Sequence, residues 1–77
     1  MTALEGWQCV ALDREYARGD FRVVRSSDRG YWRVERGGVA MLHPSGRPRR
    51  FRSVTRALNA AHAWQLALEY RGRHRVP

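Results

Sequence analysis

Alternating hydrophobic and polar residues in the middle of the chain predict three β-strands. Each of these segments is rich in β-branched and aromatic side chains, which favour extended structure. Turn residues separate the segments: a four-residue stretch ends at Gly30, and Gly37 and Gly38 tolerate the positive φ angles of a two-residue hairpin loop. The predicted strands form an antiparallel sheet and cover residues 21 to 26, 31 to 36 and 39 to 43.

The two turns also predict how these strands pair. The two-residue loop places Val34 opposite Met41 and Trp32 opposite His43, and the first turn places Val23 opposite Val34. A register shifted by one residue would exchange the two faces of the sheet, and this register groups the larger side chains on one face. That face collects Phe21, Val23, Trp32, Val34, Val39 and Met41.

The hydrophobic period changes after a loop that is rich in proline and glycine at residues 44 to 48. From there, apolar residues recur at steps of three and four, which predicts one long helix over about residues 53 to 71. Ser53 is a suitable N-cap and Gly72 a suitable C-cap. We therefore expect an α+β domain in which this helix covers the apolar face of the sheet.

The beginning of the chain is ambiguous. Residues 4 to 12 are compatible with a strand or a short helix; Gly6 and the polar stretch that follows favour a strand or an extended arm. Cys9 is the single cysteine, and its apolar neighbours suggest a thiol packed as a small hydrophobe in a reducing compartment. The N-terminus has neither a basic start nor a long apolar run, so we expect a cytoplasmic protein without a membrane span.

The predicted helix is also apolar on the side that faces away from the sheet. A helix with two apolar sides must bury the second against another element. Either the N-terminal segment covers that side, or a second copy of the protein does so in a homodimer with Leu66 and Tyr70 in its interface. The residues concerned are Ala60, Ala63, Leu66, Ala67 and Tyr70.

Charge is distributed unevenly along the 77 residues, which we expect to form a single small basic domain. All fifteen basic residues are arginine, and the formal net charge is +8. Residues 1 to 35 contain six arginines and six acids, whereas residues 36 to 77 contain nine arginines and only one acid, Glu69. Codon bias can explain the absence of lysine but not this placement, so the sequence indicates a polyanionic partner.

The densest group of arginines approaches and enters the predicted helix. A helix N-terminus presents unpaired N–H groups and the positive end of its dipole, and arginine adds a fork of donors that matches phosphate oxygens or a guanine edge. A solvated loop without a ligand is the alternative. The candidate nucleic-acid-binding residues here are Arg47, Arg49, Arg50, Arg52 and Arg56.

The open face of the sheet is a second candidate surface. Arg22, Tyr31 and Arg33 would lie there, where arginines can reach base edges and a tyrosine can stack on an unpaired base. An ordinary solvated face is the alternative. Residues 72 to 77 form a predicted flexible arginine-rich tail whose charges could follow a phosphate backbone.

Catalytic and metal-binding patterns do not stand out. The three histidines and Cys9 lack the short spacings of zinc sites, and no triad, glycine-rich phosphate loop or paired-carboxylate motif can be defended. We therefore expect a non-enzymatic accessory or regulatory protein without a cofactor or metal that binds nucleic acid, with duplex DNA favoured over RNA. The alternative is an adaptor or inhibitor whose basic face docks on an acidic protein.

Overall fold

The computed structural model describes residues 6–27 and 30–73 of the chain as an antiparallel sheet covered by one helix. The sheet has five strands in the order β1-β2-β3-β4-β5, so the α+β prediction is confirmed but three strands were too few. The helix packs on β3 and β4. The elements are β1 Gln8–Ala11, β2 Glu15–Arg18, β3 Phe21–Arg25, β4 Trp32–Arg36, β5 Val39–Ala40 and α1 Val54–Arg73.

The central hairpins have the predicted register. Val23 lies opposite Val34 across β3 and β4, and Phe21 lies opposite Arg36. Gly37 and Gly38 form the following loop with φ angles of 56° and 83°, which glycine adopts at no steric cost. The backbone N–H of Met41 donates to the carbonyl of Val34 at 2.7 Å, which confirms the predicted pairing at this end of the hairpin.

The pairing predicted between Trp32 and His43 is wrong, because Phe51 occupies that position. The backbone N–H of Trp32 donates to the carbonyl of Phe51 at 2.8 Å, and the reverse bond is also 2.8 Å. Pro44 lacks the N–H that a longer ladder would need, so the chain turns back through a small hairpin in which the N–H of His43 donates to Arg47 at 2.7 Å. This return buries the Phe51 ring beside the sheet.

The polar stretch after residue 12 contains an unpredicted strand, β2. Tyr16 is its buried residue and lies opposite Val23, so β2 extends the apolar face of the sheet. The N-terminal segment is a strand, β1, which pairs with β2 at the edge of the sheet. Cys9 on β1 is exposed, so the expectation of a packed thiol is wrong.

An apolar core fills the space between the sheet and the helix. Its aromatic residues contact each other: the Tyr16 and Trp32 rings lie 6.0 Å apart, and the Phe21 and Trp64 rings meet edge to face at 5.6 Å. Arg18 belongs to the edge of this core, where its guanidinium lies 4.8 Å from the Trp7 ring and donates to Gln65 on the helix at 2.5 Å. The buried residues are Tyr16, Phe21, Val23, Trp32, Val34, Phe51, Ala57, Leu58 and Ala61.

Helix α1 begins as predicted and ends later. The hydroxyl oxygen of Ser53 accepts a hydrogen bond from the backbone N–H of Arg56 at 3.2 Å, which confirms the N-cap. The helix continues through Gly72 to Arg73, so the predicted C-cap is wrong, and the rest of the predicted tail lies outside the described residues. The described residues contain no helix with an apolar stretch that could span a membrane.

The outer side of α1 is not covered by the N-terminal segment. From Gly6 onward that segment belongs to the far edge of the sheet, beyond β2. Leu66 remains 51% exposed and Tyr70 63% exposed. The homodimer stays a prediction.

Candidate nucleic-acid interface

Phe51 anchors the segment that carries the arginines. Phe51 is 9% exposed, and its backbone is hydrogen-bonded in both directions to Trp32 at one end of β4. Arg50 and Arg52 flank this anchor and are both exposed. The segment that sequence patterns identified only as a loop is therefore held on the sheet, directly before the helix begins.

Four of the five predicted arginines line one cleft at the start of α1. The cleft has a volume of about 440 Å³, and Phe51 and Asn59 complete its lining. The Arg49 guanidinium lies 5.3 Å from the Phe51 ring, within the range of a cation–π contact. We call this surface the basic patch, and its residues are Arg49, Arg50, Arg52 and Arg56.

Ion pairing separates the basic patch from the arginines of the sheet. Within residues 6–27 and 30–73, the ion pairs are Arg22 with Glu15 at 3.0 Å, Arg33 with Glu35 at 2.6 Å and Arg36 with Asp20 at 3.2 Å. All three pairs lie on the strands or the turn between β2 and β3. No described carboxylate is paired with the basic patch, and the first turn of α1 contains no acidic residue. The patch therefore combines concentrated positive charge with the positive end of the helix dipole.

Tyr31 lies next to the basic patch. It lines a second cleft of about 370 Å³, together with Arg49 and Arg50 from the patch. The Arg50 guanidinium is 5.9 Å from the Tyr31 ring. We call this space the Tyr31 cleft, and its remaining lining residues are Ser26, Trp32, Arg33 and Pro48. The two surfaces that the sequence suggested separately meet at this cleft.

Two of the predicted site residues lie apart from this group. Arg22 is on the open face of the sheet and is paired with Glu15. Arg47 is exposed in the small hairpin and lines neither the Tyr31 cleft nor the cleft of the basic patch. Arg33 does line the Tyr31 cleft, but its guanidinium already donates to Glu35. Whether these three residues bind a ligand stays a prediction.

Arg14 and Arg25 were missed by sequence reasoning. They line a third cleft of about 310 Å³ that shares Ser26 with the Tyr31 cleft. The backbone N–H of Arg25 donates to the carbonyl of Arg14 at 2.8 Å, which holds the two residues together. Both belong to residues 1 to 35, where six acids balance six arginines, so no excess of positive charge marks them in the sequence. Pairing of β2 with β3 brings them to the same end of the sheet as Tyr31.

The site offers guanidinium donors and an aromatic ring, which are groups that recognise phosphates and bases. Among the described residues, no group of three histidine, cysteine, aspartate or glutamate side chains could hold a metal ion.

Comparisons with known proteins do not indicate a function. No protein-family model matches the chain, and searches of curated proteins and of solved structures found no match.

Proposed function

We propose that this protein binds nucleic acid, with duplex DNA as its preferred form, and acts as a non-enzymatic accessory or regulatory protein. The observation that carries the proposal is the basic patch, in which four arginines surround one cleft without a carboxylate partner among the described residues. Like charges held this close repel one another in the free protein. A bound phosphate would relieve that repulsion, and the released counterions would drive association.

Salt dependence of binding is the direct test. If all four arginines of the basic patch meet phosphates, the plot of log Kobs against log salt concentration should have a slope of about −3.6. Fluorescence anisotropy with a labelled duplex over a range of salt concentrations measures this slope. The same titration with single-stranded DNA and RNA tests the preference for duplex DNA, and a slope near zero for the duplex would refute the proposal.

A matched pair of variants tests whether the basic patch is the site. Arg56→Gln removes a charge from the patch and should flatten the slope by about 0.9. Arg36→Gln removes the same charge from the other end of β4, about 13 Å from Trp32, where Arg36 is paired with Asp20. This distance exceeds the screening length of about 8 Å at physiological salt. Equal effects of the two substitutions would mean that net charge, and not the patch, drives binding.

An adaptor or inhibitor that docks on an acidic protein is the second candidate. The observation that favours it is an apolar groove between α1 and the segment around β5, with Arg49 as its only charged lining residue among those described. An acidic protein with an apolar side chain at its centre would match this arrangement. Partners that remain bound after nuclease treatment, combined with oligonucleotides that fail to bind, would favour this candidate. The apolar lining consists of Ala40, Met41, Leu42, Ala60, Ala63 and Trp64.

A further inference from the structure

The Tyr31 cleft has the size and lining of a binding site for a small aromatic group. Its volume of about 370 Å³ lies within the range of about 300 to 1,000 Å³ that is typical of small-ligand sites. Tyr31 and Pro48 provide apolar surface, while Arg49 and Arg50 provide positive charge in the same cleft. A planar base that carries a phosphate on its sugar combines the two chemistries that this lining would recognise.

Tyr31 is held in place by its backbone and not by burial of its ring. The N–H of Ser26 donates to the carbonyl of Tyr31 at 2.6 Å, which closes the turn between β3 and β4. The next residue, Trp32, is only 7% exposed and is bonded to Phe51. Tyr31 itself is only partly buried. A ring whose backbone is held by hydrogen bonds, and which is not buried in the core, is suited to stacking with a ligand.

The contact between Tyr31 and Arg50 is weak enough for a base to replace it. The distance of 5.9 Å from the guanidinium to the ring lies at the outer limit of about 6 Å for a cation–π interaction. Arg50 has no carboxylate partner among the described residues, so no ion pair must break when it moves toward a phosphate. The ring can therefore exchange a weak contact with arginine for a stacked base.

We propose that the Tyr31 cleft binds one unpaired nucleotide of a nucleic acid, with its base stacked on Tyr31 and its phosphate held by Arg49 and Arg50. This inference rests on the proposed function and deepens it. The basic patch holds the adjoining duplex, and the cleft takes a nucleotide from an end, a gap or a bulge. A paired base would first have to leave its stack, which costs free energy, so nucleotides that are already unpaired are the favoured ligands.

A comparison of two DNA substrates tests the inference. One is a blunt duplex, and the other is the same duplex with a two-nucleotide overhang. Stacking of one base on an aromatic side chain should make the overhang duplex bind about 5- to 150-fold more tightly. An overhang of abasic nucleotides adds the phosphates without the bases, so it should bind more weakly than the normal overhang by the contribution of stacking. If the abasic overhang binds as tightly as the normal one, phosphates alone are recognised and the inference is overturned.

Variants of Tyr31 assign this preference to the ring. Tyr31→Ala should remove the preference for the normal overhang over the abasic one, whereas Tyr31→Phe should retain it. Tyr70→Ala removes a tyrosine that is 63% exposed on the helix, and it serves as the matched control with the preference intact. A preference that survives in folded Tyr31→Ala overturns the inference.

A spectroscopic measurement on the wild-type protein covers the case in which Tyr31→Ala fails to fold. A 2-aminopurine base in the overhang should lose fluorescence when it stacks on Tyr31, and unchanged fluorescence of the bound duplex overturns the inference. Loss of the overhang preference alone, with the blunt duplex still bound, would leave the proposed function standing. Failure of both duplexes to bind would remove the proposed function as well.

Discussion

Leu58 and Leu66 lie two turns apart on α1 and face different surroundings, so the same substitution should have very different effects. Leu58 is 2% exposed in the core, whereas Leu66 is 51% exposed on the outer side of the helix. We expect Leu58→Ala to destabilise the protein strongly and Leu66→Ala to have little effect. The pair tests the orientation of the helix that positions the whole site.

The expected magnitudes follow from burial. Truncation of a fully buried leucine to alanine costs about 3 to 5 kcal/mol, since transfer and cavity terms add. At about 0.05 to 0.15 kcal/mol per residue, 77 residues have a free energy of unfolding of roughly 4 to 12 kcal/mol, so Leu58→Ala removes a large share of it. Burial of a half-exposed leucine contributes about 1 kcal/mol to the free energy of unfolding. Alanine has a better helix propensity than leucine, which offsets part of the loss in Leu66→Ala.

Urea denaturation followed by tryptophan fluorescence and circular dichroism measures both effects. With a slope of about 1 kcal/mol per molar urea, Leu58→Ala should lower the midpoint by about 3 to 5 M and Leu66→Ala by less than about 1 M. Equal losses for the two variants would refute the orientation of the helix or show that its outer side is buried in an oligomer.

Protein concentration separates those two explanations. In a homodimer that buries Leu66 and Tyr70, the wild-type midpoint rises with protein concentration, and Leu66→Glu gives a folded monomer by light scattering. A midpoint that is independent of concentration, combined with unfolding of Leu66→Glu, would place Leu66 in the core of the monomer and contradict its exposure.

Three further predictions concern local structure. Ser53→Ala should cost about 1 kcal/mol by removing the N-cap, and an unchanged urea midpoint would contradict the capping bond. Gly38→Ala should cost about 1 to 3 kcal/mol because Gly38 has a φ of +83°, whereas Gly72→Ala inside the helix should stabilise by up to about 1 kcal/mol; effects of the same sign would contradict these conformations. Cys9 should react with a thiol reagent in the native protein nearly as fast as in the unfolded protein, and a protected thiol would contradict its exposure.

The parts of the fold that could be predicted from sequence are those with strong local patterns. Alternation in β3 and β4 and the glycine pair at 37 and 38 were sufficient for the central register, because a two-residue loop leaves one way to pair the strands. The helix was predicted from its apolar period and from Ser53. Its end was not, because Gly72 is compatible with either a cap or a final helical turn.

The elements that were missed depend on partners distant in sequence. Tyr16 is the only large apolar residue between positions 13 and 20, so β2 has almost no pattern of its own. It forms because β1 and β3 provide hydrogen-bonding partners on both sides. Phe51 replaces His43 opposite Trp32 for a similar reason, since burial of an aromatic ring favours a contact that local pairing rules do not include.

The candidate site was predicted in part. The excess of arginine after residue 36 could be seen in the sequence, and four of those arginines line the cleft of the basic patch. Ion pairing of Arg22 could not be seen, because its partner Glu15 lies on β2, a strand that was not predicted. The position of Tyr31 beside Arg50 could not be predicted either, because it depends on the pairing of Phe51 with Trp32 at the edge of the sheet.

The sequence by itself determined the fold class, the central hairpins, the start of the helix and the excess of positive charge, because turn chemistry, side-chain periodicity and net charge are properties of short segments. Only the tertiary structure decided which arginines are neutralised, which share a cleft and which aromatic ring stands beside them. Electrostatic and stacking interactions depend on distances through space, and those distances arise only when strands and helix pack around a common core.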